Sequence, residues 1–280
     1  MLFRKTLRVL AVIFEDVLFA ITAKIGYYTM IFQIKLAGAV VEIHSNYQYI
    51  YKMCADYYIE PFQKPAFVVA PELRSIIEER SSMDVGVETI NSKNHRPIDL
   101  DALLESRIIH KTIIDKMLDF STFLFHGAAI SYNNNAIIFS GKSGTGKTTH
   151  IQKWLYNLQN VYVVNGDKPF VKFQDDVSLS PLACGSPWCG KERLGCNTMV
   201  PIKTFVCMER AEDNSIHEIT FSEAIPFLMQ QTYRPDDEKK LKKTLRLLQQ
   251  LNGKVKFYRF YCNNFKDDCF DVAFNALAAN

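Results

Sequence analysis

The chain has 280 residues, 48% hydrophobic and 22% charged, with a formal net charge of +3. That is an ordinary globular composition, long enough for one or two packed domains, and the charge is too small to argue for a nucleic-acid partner. The seven cysteines (54, 184, 189, 196, 207, 262, 269) have no zinc-like spacing, so reduced thiols in a cytoplasmic protein are expected.

Residues 1–29 are apolar, with Arg4, Lys5 and Arg8 near the start and Glu15 and Asp16 interrupting the run. No stretch approaches the ~18 apolar residues that span a bilayer, so stable membrane insertion is not expected. The segment reads as an overextended start before Met30 or as an amphipathic segment. From Met30 the pattern predicts two strands, Met30–Ala37 and Ala39–His44, joined at Gly38. Pro65–Ala70 predicts another strand. Pro71–Arg80 predicts a helix with proline in its first turn, residues 81–99 a loop, and Leu100–Met117 a second helix. Residues 30–115 are therefore expected to form a small α+β region, and residues 116–280 a nucleotide-binding core.

The core opens on the apolar run Ala136–Ser140, a buried-strand pattern. Gly141-Lys-Ser-Gly-Thr-Gly-Lys-Thr148 follows and reads G-x-x-x-x-G-K-[ST], the Walker A or P-loop pattern. Gly141, Gly144 and Gly146 let the backbone turn. The N–H groups around Lys142, Ser143 and Thr145 can then face phosphate oxygens. Lys147 can reach the outer phosphates, and the Thr148 hydroxyl can ligate Mg²⁺. Ile151, Leu155 and Leu158 then recur at helical spacing, so Lys147, Thr148 and Thr149 would open a helix whose N-terminus favours anions.

Val161–Asn165 predicts the next strand, and Asp167 follows it twenty positions after Lys147. That spacing leaves room for one helix and one adjacent strand, so Asp167 would emerge beside the loop. Its carboxylate could ligate Mg²⁺ or accept a proton from an attacking hydroxyl. Asn165-Gly166 also reads as a turn dipeptide. Gly185–Arg193 predicts a loop that carries Lys191 and Arg193, cations suited to a transferring phosphoryl group, and Trp188, which could stack or anchor. His126 falls in an apolar strand pattern. Further on, Lys203–Arg210 and Lys256–Tyr261 predict strands. Helices are expected from a Ser222 cap to about Tyr233, from an Asp236 cap to near Gly253, and over Asp267–Leu277. The lysines at 239, 240, 242 and 243, with Arg246, predict a solvated basic face.

Taken together, His126-Gly127, the loop Gly141–Thr148, Asp167 after the next strand and Ser186-Pro-Trp-Cys-Gly-Lys191 resemble the HPr kinase/phosphorylase-related family. That family shares its catalytic core with ATP-dependent phosphoenolpyruvate carboxykinase. The resemblance covers roughly residues 120–280. It extends loosely back to Met30, which looks like the small N-terminal part of HPr-kinase-like proteins found near peptide-modification genes. Asn165–Pro169, Gln230–Pro235 and Tyr261–Asn263 also look like that subgroup. The resemblance implies an α/β P-loop kinase core, ATP or GTP with Mg²⁺, and transfer to a serine hydroxyl of a small protein or peptide. It implies that homo-oligomers can form. It maps Lys147, Thr148 and Thr149 to the phosphates and metal, Asp167 to the catalytic base, His126 to the phosphate surroundings, and Lys191 and Arg193 to phosphate clamping.

The chain departs from that pattern twice. The family usually carries tandem acids where this chain has Gly166-Asp167, and related sequences tend to have Asp where Cys189 stands. Three readings follow: a phosphotransferase, a nucleotide-binding regulatory protein with vestigial catalysis, and a carboxykinase-like lyase.

Overall fold

The computed structural model describes residues 30–59, 63–82 and 100–278. The expected start segment 1–29 and most of the expected loop 81–99 lie outside the described residues. The chain divides into two units, residues 30–35 with Ala39–Ile113, and Leu36–Gly38 with Ile114–Asn280.

In the first unit, β1 (Met30–Leu36), β2 (Ala39–Ser45) and β3 (Phe67–Val69) form a three-stranded sheet in that order, with β3 parallel to β2. Ala37 (φ 47°) and Gly38 (φ 83°) form the two-residue turn between β1 and β2, the left-handed pair that matches strand twist. Ala39, Val41, Ile43 and Ser45 alternate inward along β2. Helix α1 (Gln48–Met53) follows, then α2 (Leu73–Ser82) and α3 (Leu100–Met117). Helix α2 starts two residues after Pro71. Glu72 supplies the carbonyl that Ser75 N–H meets at 3.0 Å, which leaves the proline outside the first turn.

The second unit is built on one mixed sheet. Its elements are β4 (Thr122–Leu124), β5 (Ala128–Tyr132), β6 (Asn135–Ser140), α4 (Lys147–Asn157), β7 (Val161–Asn165), β8 (Phe170–Lys172), β9 (Leu182–Cys184), β10 (Met199–Arg210), β11 (Ser215–Ile219), α5 (Phe221–Gln231), α6 (Glu238–Gln249), β12 (Lys256–Cys262) and α7 (Cys269–Leu277). Strand β10 joins two halves. Its start pairs antiparallel with β9, and from Ile202 onward it runs parallel to β6 and then also to β12. Beyond β6 the order continues to β5 and then β7.

Apolar alternation splits this sheet between two cores. Ile138, Phe205, Cys207 and Phe257 face one way, with Leu228 of α5 and Leu247 and Leu248 of α6. Ile137, Phe139, Val206 and Phe260 face the other way, with Ile151 and Trp154 of α4 and Ala273 and Leu277 of α7. A strand covered on both faces needs no polar side, which is why Ala136–Phe139 is an unbroken apolar run. Each large side chain buried in this way contributes about 1.5–3 kcal/mol relative to exposure.

Several sequence expectations shift. Helix α5 is capped by Thr220, not Ser222, because Glu223 completes a capping box with Thr220. Helix α6 is capped by Asp237, whose side chain accepts from Lys240 N–H at 2.8 Å, not by Asp236. Its basic face is not simply solvated: Lys240 and Lys243 pair with Asp115 and Asp119 at 3.0 and 3.1 Å. Among the described residues, no helix is long and apolar enough to cross a membrane.

Candidate active site

The loop between β6 and α4 leans on the neighbouring strand. A Cβ added at Gly141 would meet the Met208 carbonyl oxygen at 2.7 Å, so only glycine fits there. Gly144 and Gly146 take φ of 78° and 98°, conformations that side chains resist. Side-chain hydrogen bonds help hold the arc. Thr145 Oγ1 donates to the Lys142 carbonyl, Arg210 donates to the Gly144 carbonyl, and Asn264 Nδ2 donates to the Gly146 carbonyl at 3.1 Å. Lys142 and Ser143 are exposed, Thr148 is half-buried, and Thr149 is exposed on the first turn of α4. The first N–H groups of that helix have no partner within it and add to the attraction for anions.

Lys147 is folded back across this arc. Its Nζ donates to the Gly141 carbonyl at 2.8 Å. Burial pulls its pKa below the ordinary lysine range, and the charge of Asp167 acts against that pull.

Asp167 reaches the loop's edge of the sheet by a different route from the one its spacing predicts. Strand β7 is not adjacent to β6, because β5 lies between them and is antiparallel to both. Two reversals leave β7 running with β6, so Asp167 leaves the sheet at the same edge as the loop. The tight turn that carries it comes from Asn165. Its Oδ1 accepts from the N–H groups of Asp167 (2.9 Å) and Lys168 (2.6 Å). Its Nδ2 donates to Ser186 Oγ at 3.0 Å, and Ser186 Oγ donates to the Lys168 carbonyl at 3.0 Å. The turn reading of Asn-Gly and the placement of Asp167 are thus one device.

The Asp167 carboxylate is held from both sides. His126 Nε2 lies 3.4 Å from Oδ1, and Lys168 Nζ lies 2.5 Å from Oδ2. His126, and after it Lys168, hold the carboxyl well below the usual aspartate range despite burial. His126 is not in a strand as its pattern predicts. Phe125 bridges to Thr232, and His126 N–H donates to the Gln231 carbonyl at 2.7 Å, which breaks the chain between β4 and β5. Its Nδ1 meets Gln231 Oε1 at 2.9 Å.

The 185–193 segment is a loop, as Gly and Pro predict, and it runs directly under Asp167. Gly190 (φ 89°) comes so near that a Cβ there would lie 3.1 Å from the Asp167 Cβ. Arg193 takes a left-handed φ of 49°, with its N–H on the Gly190 carbonyl at 3.2 Å. The Lys191 and Arg193 side chains are exposed and Trp188 is half-buried. Gly166 is clamped between two backbone carbonyls. A Cβ there would meet those of Leu194 and Cys189 at 3.1 and 3.2 Å. A side chain at this position would therefore need that backbone to shift.

The cysteines are thiols, buried except for half-buried Cys196. Burial pushes Cys184 and Cys207 up to about 12, so both are inert at neutral pH. Among the described residues, no group of three His, Cys, Asp or Glu side chains is placed to hold a metal. Asn165, Lys168, Gln231, Arg210 and Asn264 shape the site but were not singled out by type. The Asn-Gly dipeptide signals the first of them, and the subgroup-like segments Asn165–Pro169 and Gln230–Pro235 contain Lys168 and Gln231, whereas nothing in the sequence marks Arg210 or Asn264.

No protein-family model matches the chain, and no curated protein matches it. Among solved structures, the chain is similar to the Hpr(Ser) kinase/phosphatase from Coxiella burnetii. The identity is 9% and the TM-score 0.27, over 46% of this chain and 90% of that one. A likeness of that size decides neither the core nor the chemistry, so the functional reading rests on the site itself.

Proposed function

We propose that the chain is a phosphotransferase that binds ATP or GTP with Mg²⁺ in the Gly141–Thr148 loop and transfers the terminal phosphoryl group to a serine hydroxyl of a small protein or peptide. The observation that carries the reading is that β6 and β7 run the same way on either side of β5, so the Gly141–Thr148 loop with Lys147 and the acid Asp167 leave the sheet at one edge. One residue can neutralise a phosphate, and the other can receive a hydroxyl.

In this reading Lys147 leaves the Gly141 carbonyl for the terminal phosphate. The loop N–H groups and the start of α4 hold the inner phosphates. Asp167 accepts a hydrogen bond from the incoming hydroxyl and takes its proton. The new O–P bond forms as the bond to the nucleoside diphosphate breaks. His126 and Lys168 fix the carboxylate, and Lys191 and Arg193 reach over the transferring group. Such catalysis is mostly positioning and charge stabilisation. Thr148 and Asp167 would hold Mg²⁺ together with phosphate oxygens, which suits an ion that takes one or two carboxylates and completes its shell from substrate and water. When bound, the ion would neutralise charge on the phosphates.

The test uses γ-labelled ATP and serine-containing candidate peptides or small proteins. Asp167→Asn is expected to slow transfer about 10²- to 10⁴-fold. Wild-type turnover by that variant would remove Asp167 as the base. A second reading, a nucleotide-binding regulatory protein, is favoured by the crowded Gly166 and by the engagement of Asp167 with Lys168. It predicts binding that depends on Lys147 with no labelled acceptor.

A further inference from the structure

A cavity of about 680 Å³ opens beside the front half of the loop, within the usual size range of small-molecule sites. Loop residues 142–145, the end of β10 and one side of α5 line it, while Lys147, Asp167 and His126 do not. We infer that this cavity receives the base and ribose of the nucleoside triphosphate. The inference rests on the phosphotransferase reading and names the part of the substrate that the reading leaves unplaced.

The argument is one of geometry and lining. An acceptor hydroxyl must reach Asp167, which is not in the cavity wall, so the cavity is not the seat of the transferred proton. An elongated ligand joins the two places. Its outer phosphate sits at Lys147 and its far end lies beyond the loop, at the ends of β10 and β12. The lining is half apolar and half polar, as a nucleoside requires. Phe227, half-buried on α5, offers a ring for stacking. Arg210 and Arg259 offer planar cations that pack on a base. Glu209, 3.5 Å from Arg259 Nε and largely exposed, offers acceptors for ribose hydroxyls. Arg210 also donates to the Gly144 carbonyl, so a group that orders Arg210 also orders the phosphate loop.

The experiment is calorimetry on the full chain with Mg²⁺-ATP and with Mg²⁺-tripolyphosphate, which has the phosphates and no nucleoside. Wild-type protein is expected to bind ATP about tenfold or more tightly than tripolyphosphate, the scale of one stacked base. Gln230→Trp places a bulky ring at the exposed cavity rim, and Phe227→Ala removes the stacking ring. Circular dichroism checks that both remain folded. Each variant is expected to bring the two affinities close together by weakening ATP alone. If both ligands bind and neither variant changes their ratio, or if wild-type protein binds them equally, the base lies elsewhere and the phosphate reading survives. If neither ligand binds, or if Lys147→Met leaves both affinities unchanged, the phosphate reading falls and this inference falls with it.

Discussion

His126 Nε2 stands 3.4 Å from Asp167 Oδ1, and that ring is the leading cause of the low Asp167 pKa. The ring and Lys168 hold the carboxyl well below the usual aspartate range. A depressed folded-state pKa adds stability that is present above the unfolded value, about 3.9. That stability is lost as pH falls through the folded value. His126→Gln removes the ring and should raise the Asp167 pKa toward the ordinary range. Carbon-detected NMR titration of the Asp167 carboxyl reads this directly. The acid limb of phosphoryl transfer should move up in pH with it. An unchanged titration would mean that Lys168 alone sets the carboxyl.

Gly146 is the N-cap of α4 at φ 98°, and a Cβ there would overlap the Asn264 amide. Gly146→Ala should thus cost stability twice, once for the left-handed backbone and once for the displaced Asn264. The backbone share is about 1–2 kcal/mol. Denaturant unfolding of Gly146→Ala, Asn264→Ala and the double variant separates the shares. The double variant should recover the steric part and keep the backbone part. Additive losses would show that Asn264 moves aside at no cost.

Local code made much of this site legible. The strand Ala136–Ser140, the glycine loop and the helix after it are specified by contiguous residues, and each appears where the pattern places it. Asp167 was legible as the acid after Val161–Asn165, but its route was not, because strand order is a non-local property. No feature of residues 147–167 announces that β5 will insert between β6 and β7. His126 was misread for the same reason, since its strand is broken by Gln231 and Thr232, more than a hundred positions away. The α5 cap was within reach: Glu223 follows Thr220 by three, and that box outranks the lone Ser222.

In the first unit, Glu105 of α3 is fully buried and holds the start of α1. It accepts from Ser45 Oγ (2.7 Å), Asn46 N–H (2.7 Å), Asn46 Nδ2 (2.9 Å) and Tyr47 N–H (3.2 Å). Glu105→Ala strands those donors inside, at a cost of about 3 kcal/mol or more. Hydrogen exchange of β2 and α1 in the full chain should show the loss, with Glu105→Gln between the two. Burial also raises the Glu105 pKa above 4.5 despite these bonds. The folded unit then holds its proton more firmly than the unfolded chain. The stability from this group is greatest in acid and declines as pH rises from about 4.5 toward the raised value. Glu105→Gln should flatten that decline.

Gly166 gives a sharp test of how tightly the turn before Asp167 is packed. Its N–H donates to the Leu194 carbonyl at 2.8 Å, and a Cβ would press on the carbonyls of Leu194 and Cys189. Both neighbours are backbone, so neither can swing away as a side chain would. Gly166→Ala should therefore destabilise by about 1–3 kcal/mol, the range for overpacking. Gly166→Asp should cost more, because it brings a negative charge toward two carbonyl oxygens and next to Asp167. Like charge beside Asp167 would raise the Asp167 pKa, opposing His126 and Lys168. Thermal unfolding of the two variants, with phosphoryl transfer measured on whichever folds, decides the matter. The expected outcome is lower stability for both and no gain in transfer for Gly166→Asp. A stable Gly166→Asp variant with faster transfer would show that the loop at Cys189–Leu194 yields and that a second acid beside Asp167 aids transfer.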